Sequence, residues 1–314
     1  MQILDWLREP ELRAMLLPGL VGGIAVVITC ALLSVLVVLK RLAFVGQGVS
    51  HSAFGGIGLA AYCGFLAHAA ADSAGTSPAY SWLITSGIVL VFCIVSAIGM
   101  GLLADMHGVR EDTAIGVFLV AAMALGGLLL SLAIQRGRLS GNAGYESILF
   151  GQVLAVSWSD AGVAVVACAA VVVTVWVLRR PMLFWAFDET SATAFGAPSL
   201  LLRLTLMVLL CIAIVTAMKI VGVVLATALL VLPGASALRL SDRLARVVVL
   251  SVGFGVLGLA GGVVIATEQG SVPPGATIVL SLCALFAAAW IGGIMQRKFA
   301  RPDRTRPGRA NNQA

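Results

Sequence analysis

Polar and turn-forming positions cut this chain into nine apolar runs, at residues 17–39, 49–70, 82–104, 113–134, 161–178, 201–217, 221–238, 247–266 and 276–295. Each comes close to the ~20 residues that a helix needs to cross a hydrocarbon core about 30 Å thick. None alternates with period two, and in lipid a lone segment satisfies its own backbone only as a helix. The pattern predicts an all-α polytopic membrane protein of eight or nine transmembrane helices. A single transmembrane domain is expected over residues 1–298, followed by a basic tail at 299–314 that is disordered and drawn to anionic headgroups.

Two connections are more than turns. Residues 135–160 carry Gly137, Gly141 and Gly144 and then a short apolar stretch at 148–156, too short to span, which reads as a re-entrant or interfacial helix. Residues 181–198 read PMLFWAFDETSATAFGAP, a mixture of apolar, acidic and small residues. That mixture predicts a short helix on the membrane surface, capped by Asp188 and stopped near Gly196 and Pro198. A partner protein has something to push on there.

Composition reinforces the pattern: of 314 residues, 60% are hydrophobic and 11% charged, with a mean hydropathy of +1.06. Ordinary soluble domains carry about 25% charged residues, so a soluble enzyme, a disordered chain and a disulfide-built secreted domain are excluded. The net charge of +6 does not point to nucleic acid, because its basic residues follow the spans. Lys40 and Arg41, Arg179 and Arg180, Arg239, Arg243 and Arg246, and the group from Arg297 to Arg309 all follow odd-numbered runs, which places them on one side. Cytoplasmic ends gather Lys and Arg, so the N-terminus is expected outside and the C-terminus inside. Arg136 and Arg138 dissent. The segment 1–11 has no cationic start and no small-residue cleavage site, so it does not read as a signal peptide. The six cysteines, Cys30, Cys63, Cys93, Cys168, Cys211 and Cys283, form no C-x-x-C pair and read as small buried hydrophobes.

Ionisable groups inside a bilayer are costly, which makes the few present the candidates for chemistry. Gln47 and His51 stand four residues apart on one face of the second helix, with Gly55 one turn further leaving volume beside the imidazole. Imidazole nitrogen and amide oxygen are ligands for transition-metal dications; a histidine hydrogen-bonded to a neighbouring helix is the competing reading. His68 and Asp72 form a second pair at the outer end of the same helix, either a solvated helix end or a contact at the mouth of a pathway. His107 reads as a surface residue, and Glu111 and Asp112 as helix-start acids. Small residues at one-turn spacing, Ser52, Gly56 and Ala60 and then Gly258 and Gly262, read as helix packing. Pro233 interrupts the seventh run beside Gly234, as a kink that lines a pathway or a kink that packs. No glycine-lysine phosphate loop, nucleophile elbow or zinc-protease motif is present, so any pumping must be powered by another chain.

Several stretches together resemble the membrane permeases of metal-cation ABC importers: LKRLAFVGQGVSHSAFGGIGLA at 39–60, REDTAIG at 110–116, FDETSATAFGAP at 187–198, KIVGVVLATALLVLPGASA at 219–237 and PPGATIVL at 273–280. The resemblance implies a type II ABC-importer-like permease that moves zinc, manganese or iron in the bacterial inner membrane. It further implies a chain that is not itself an enzyme and holds no tightly bound cofactor, with the cation as its cargo. The implied partners are a second copy, cytoplasmic ABC ATPase subunits that bind the ATP, and an extracytoplasmic metal-binding protein. Gln47 and His51 would line the path, and Phe187, Asp188, Glu189, Ala192, Gly196 and Pro198 would form the ATPase-coupling segment. The chain departs from the family at Gln47, where many members carry an acid. Other readings are an importer of a metal chelate, siderophore or haem, and an ion-coupled secondary transporter. The latter needs charged sites at midplane, and no acid falls inside the expected spans.

Overall fold

The computed structural model describes residues 10–64, 78–105, 110–137, 156–269 and 272–299, and every regular element among them is a helix. In order these are α1 (Pro10–Leu39), α2 (Ala43–Tyr62), α3 (Pro78–Asp105), α4 (Glu111–Gln135), α5 (Trp158–Val177), α6 (Arg179–Phe187), α7 (Glu189–Ala194), α8 (Ser199–Val221), α9 (Val223–Leu229), α10 (Leu232–Leu240), α11 (Leu244–Gln269) and α12 (Pro274–Phe299). Among the described residues, eight stretches are long and apolar enough to cross a membrane: α1, α3, α4, α5, α8, α11, α12, and α9 with α10 taken together. The α2 helix has the length, 20 residues, but not the hydropathy. Gln47, Ser50, His51 and Ser52 lower it.

Burial ranks the helices. In α1, 72% of the membrane stretch is buried, against 22% in α4, α5 and α12. The first is therefore the axis around which α5, α8, α10 and α11 pack, and the others turn apolar side chains such as Val120, Val166 and Leu280 outward. Inside lipid no hydrophobic force separates these two classes, so close packing and polar ties between helices hold the bundle. Ser251 of α11 donates to the Ala31 carbonyl of α1 at 2.8 Å, and Thr277 of α12 donates to the Gly262 carbonyl of α11 at 2.8 Å.

Glycine allows the closest approaches. A methyl group on Gly58 of α2 would lie 2.5 Å from the Gly126 carbonyl oxygen of α4, so these two backbones touch directly. Gly56 meets Val89 of α3, while Gly258 and Gly262 meet Leu282 and Ile278 of α12, in line with the packing reading of those residues. Gly55 departs from expectation. A methyl group on it would lie 2.7 Å from the Phe92 ring and 2.9 Å from the Ala122 carbonyl oxygen, so no volume is left there beside the imidazole of His51. Its turn of α2 is rotated into the α3–α4 contact.

Three boundaries differ from those the sequence suggests. Helix α2 begins at Ala43 and ends at Tyr62, followed by Gly64 at φ +87°, rather than covering 49–70. Its glycines and polar residues hid its first turn, and apolar residues beyond Gly64 extended the run. His68 and Asp72 lie outside the described residues, as do His107, residues 148–155 of the connection before α5, and residues 300–314 of the tail. The fifth helix starts at Trp158, with Ser157 and Asp160 forming a reciprocal capping box, and this brings one acid inside a membrane helix. The seventh run is two helices. Gly222, at φ +86°, turns the chain from α8 into α9, and α10 starts afresh after Val231. Pro233 is the second residue of α10, buried, at a position where its missing N–H costs nothing. Ser34 of α1 stitches this break: its hydroxyl donates to the Val231 carbonyl at 3.2 Å and accepts from the Gly234 amide at 2.8 Å.

The cysteines are free; Cys30, Cys93 and Cys211 are buried as expected, but Cys63 and Cys283 are exposed. They sit at the end of α2 and on a face of α12 left open by the other described helices.

Candidate functional site

Helix α2 buries most of its surface against α3 and α4, yet Phe44 and Gln47 are exposed and His51 and Phe54 half-buried. These four positions, spaced by three and four residues, form one stripe along the helix. Both polar side chains singled out by the sequence therefore share the face of α2 that the other described helices leave open. Leu230, at the end of α9, packs on Gly46 beside this stripe, 3.5 Å from where a Gly46 methyl would lie. Among the described residues no three His, Cys, Asp or Glu side chains gather to hold a metal ion. The described residues of one chain thus present an amide and an imidazole on this stripe and no closed coordination shell.

The segment 181–198 forms two short helices, not one. Helix α6 buries Met182, Trp185 and Ala186 and leaves Phe184 and Phe187 outside. Asp188 then caps α7: its carboxylate accepts the Ser191 amide at 3.0 Å and the Ser191 hydroxyl. Those bonds, the hydroxyl first, hold the Asp188 carboxyl below its ordinary range. Ala192 is the fully buried residue of α7, and Gly196 at φ +82° ends the turn, a conformation that L side chains rarely take. Phe195 is 84% exposed, and its ring lies 6.1 Å from that of Phe184. Pro198 is exposed and precedes α8. The surface so made is an aromatic knob, Phe184, Phe187 and Phe195, around a capped helical turn.

Glu189 behaves differently from its neighbour. Its carboxylate receives the Lys40 ammonium at 2.7 Å and lies 3.8 Å from the Arg203 guanidinium, and Lys40 also sits 3.8 Å above the Trp185 ring. Burial pushes the Glu189 carboxyl up, but the Lys40 hydrogen bond and charge outweigh it and hold the carboxyl below its ordinary value. Glu189 is therefore a brace between the surface helices, the end of α1 and the start of α8. The sequence showed an acid in a surface segment. It held no sign of a lysine 149 residues away.

At the opposite end of α5 and α8, Asp160 and Lys219 form a second pair at 2.5 Å, with the carboxylate largely buried and tied also to Ser157. Neither residue was singled out by the sequence reading: S-x-x-D at 157–160 is a local capping signal that could have been found, whereas a lysine 59 residues away leaves no local trace. Arg136 stacks 4.5 Å from the Tyr62 ring at that same end of α2 and α4, which accounts for one of the basic residues on the sparsely charged side.

A bundle of membrane-length helices with a polar stripe left open on one of them, and capped surface helices at one end, is the build of a polytopic transport permease. The chain belongs to the ABC 3 transport family, whose model matches residues 13–293, as a permease subunit of a metal ABC transporter. It is 31% identical over 272 residues to a manganese transport system membrane protein of Halalkalibacterium halodurans, covering 87% of this chain and 85% of that one. It is 30% identical over 285 residues to a protein described as a probable iron transport system membrane protein of Haemophilus influenzae, covering 91% and 96%. Its fold is similar to that in the structure of PsaBC from Streptococcus pneumoniae in complex with Fab, with a TM-score of 0.72, 26% identity and coverage of 92% and 94%. A metal-chelate type ABC transporter solved in an inward-facing conformation shares the fold at a TM-score of 0.60 and 17% identity.

Proposed function

We propose that this permease imports a divalent transition-metal cation, with two copies facing each other across the α2 stripe and ATP hydrolysis supplied by separate subunits. The observation that carries the reading is the open stripe itself. An exposed amide and a half-buried imidazole that the other described helices leave open are costly in a membrane unless they meet water, cargo or a second copy. Two stripes would offer two imidazoles and two amides, a neutral set that binds a dication transiently and releases it. Such a set favours a bare cation over a bulky chelate. The relatives described for manganese and iron transport make those metals, with zinc, the cargoes to test. The bulk of an importer's work is then conformational: hydrolysis shifts the helices between outward-open and inward-open states, and the cation passes along α2.

The aromatic knob around α7 suits the ATPase contact, because it is exposed, apolar at its tips and stiffened by the Asp188 cap. Lys40, Glu189 and Arg203 meet at the same end as that knob, consistent with a cytoplasmic side rich in basic residues, the N-terminus outside and the C-terminus inside. A binding protein delivers the ion on the opposite side. The test is accumulation of manganese, iron and zinc in cells lacking the native system and carrying this chain with its ATPase. His51→Ala is expected to reduce uptake about tenfold or more while the complex still assembles. Unchanged uptake in that variant would return His51 to a packing role and end the bare-cation reading.

A further inference from the structure

The geometry points to Lys40 and Glu189 as the positioning pair through which the ATPase-docking segment sets the place of α2; this rests on the importer reading above. Three observations converge on it. Lys40 is 11% exposed, gripped by the Glu189 carboxylate at 2.7 Å and lying 3.8 Å over the fully buried ring of Trp185, so it contacts both α6 and α7. From Lys40 to α2 there is almost no slack: Arg41 takes φ +59°, and the turn is closed by Lys40 N–H to Leu36, Arg41 N–H to Val38 and Leu42 N–H to Val37. Helix α2 starts at the next residue and carries Gln47 within its second turn.

A displacement of α7 is therefore handed to Lys40 by a charge-assisted bond and then to α2 by a hydrogen-bonded turn too short to absorb it. Arg203, 3.8 Å from the other Glu189 oxygen, ties the same carboxylate to α8, so α7 moves as one body with two helix ends. Asp188, although adjacent, makes its bonds inside α7 and is not part of this link. The pair does not touch cargo or nucleotide. Its role is to keep the docking surface and the α2 stripe in step.

The experiment uses the full transporter, permease with ATPase and binding protein, reconstituted in vesicles with manganese as the probe. Metal moved and ATP hydrolysed are measured together for wild type, Lys40→Met, Lys40→Arg, Lys40→Glu and Lys40→Glu with Glu189→Lys. Lys40→Met is expected to bind the ATPase and hydrolyse ATP within about twofold of wild type while metal moved per ATP falls about tenfold. Lys40→Arg should keep the ratio near wild type, and the charge swap should regain most of what Lys40→Glu loses. An unchanged ratio in Lys40→Met overturns the proposal. So does a parallel loss of assembly and hydrolysis, because that marks the pair as a fold brace and not a link. A wild-type chain that binds no ATPase, or moves no metal, overturns the importer reading itself.

Discussion

Neighbouring glycines in α4 offer a sharp test of how the α2–α4 contact is built. A methyl group on Gly126 would sit 2.8 Å from the Phe54 carbonyl oxygen and 2.9 Å from the Gly55 Cα, whereas one on Gly127 meets nothing within 4 Å. The Phe54 contact is about 0.6 Å short of an ordinary van der Waals distance of ~3.4 Å, and both obstacles are backbone, which no rotamer change relieves. Gly126→Ala must therefore part the two helices, at about 1–3 kcal/mol for overpacking. The gain of roughly 0.5–1 kcal/mol from replacing a helical glycine offsets part of that. A net loss of ~1–2 kcal/mol is expected for Gly126→Ala, and a gain of up to ~1 kcal/mol for Gly127→Ala, from the same terms. Thermal unfolding of the purified protein in detergent, followed by tryptophan fluorescence, compares the two directly. Because α2 carries Gln47 and His51, metal uptake should fall in the first variant alone. Equal melting temperatures would refute the direct backbone contact and with it the account of how α2 is held.

Other outcomes follow from the polar ties. Ser34→Ala leaves the Gly234 amide unpaired in a buried break, a cost of about 1–3 kcal/mol, and should speed hydrogen exchange in α10; unaltered exchange would show that the break is held some other way. Glu189 ionises more easily in the folded chain than in the unfolded one, so its contribution is fully present above its ordinary value of 4.5 and is lost as pH falls through the depressed value. Proteolysis around α6 and α7 should accordingly accelerate only in acid and only in the wild type, with Glu189→Gln insensitive to pH over that window. Identical profiles would remove the carboxylate from the brace. Gln47→Asp adds one negative charge per chain to the stripe and should tighten metal retention or shift preference among manganese, iron and zinc. A flat response across all three would take Gln47 out of the path.

Much of this architecture was legible because a bilayer allows few solutions. Runs of about 20 apolar residues have to be helices, and the clustering of Lys40, Arg41, Arg179 and Arg180 follows from chain order alone. The Asp188 cap and the Gly196 stop were readable because capping is local chemistry, settled within three or four residues. The pair Gln47 and His51 stood out because polar groups are scarce in such a chain. Local reading failed where long-range contact decides. Gly55 looked like free space beside His51, yet Phe92 and Ala122 fill it. Pro233 looked like a kink in one helix, yet it opens a second helix whose broken end is tied by a serine 200 positions earlier. Glu189 looked like an unpaired surface acid, yet Lys40 holds it at 2.7 Å. Sequence alone thus determined the helices, their order along the chain and the few polar residues set among them. Only the tertiary structure decided which face of α2 stays open and which charges are already spoken for, since both depend on neighbours far away in the chain.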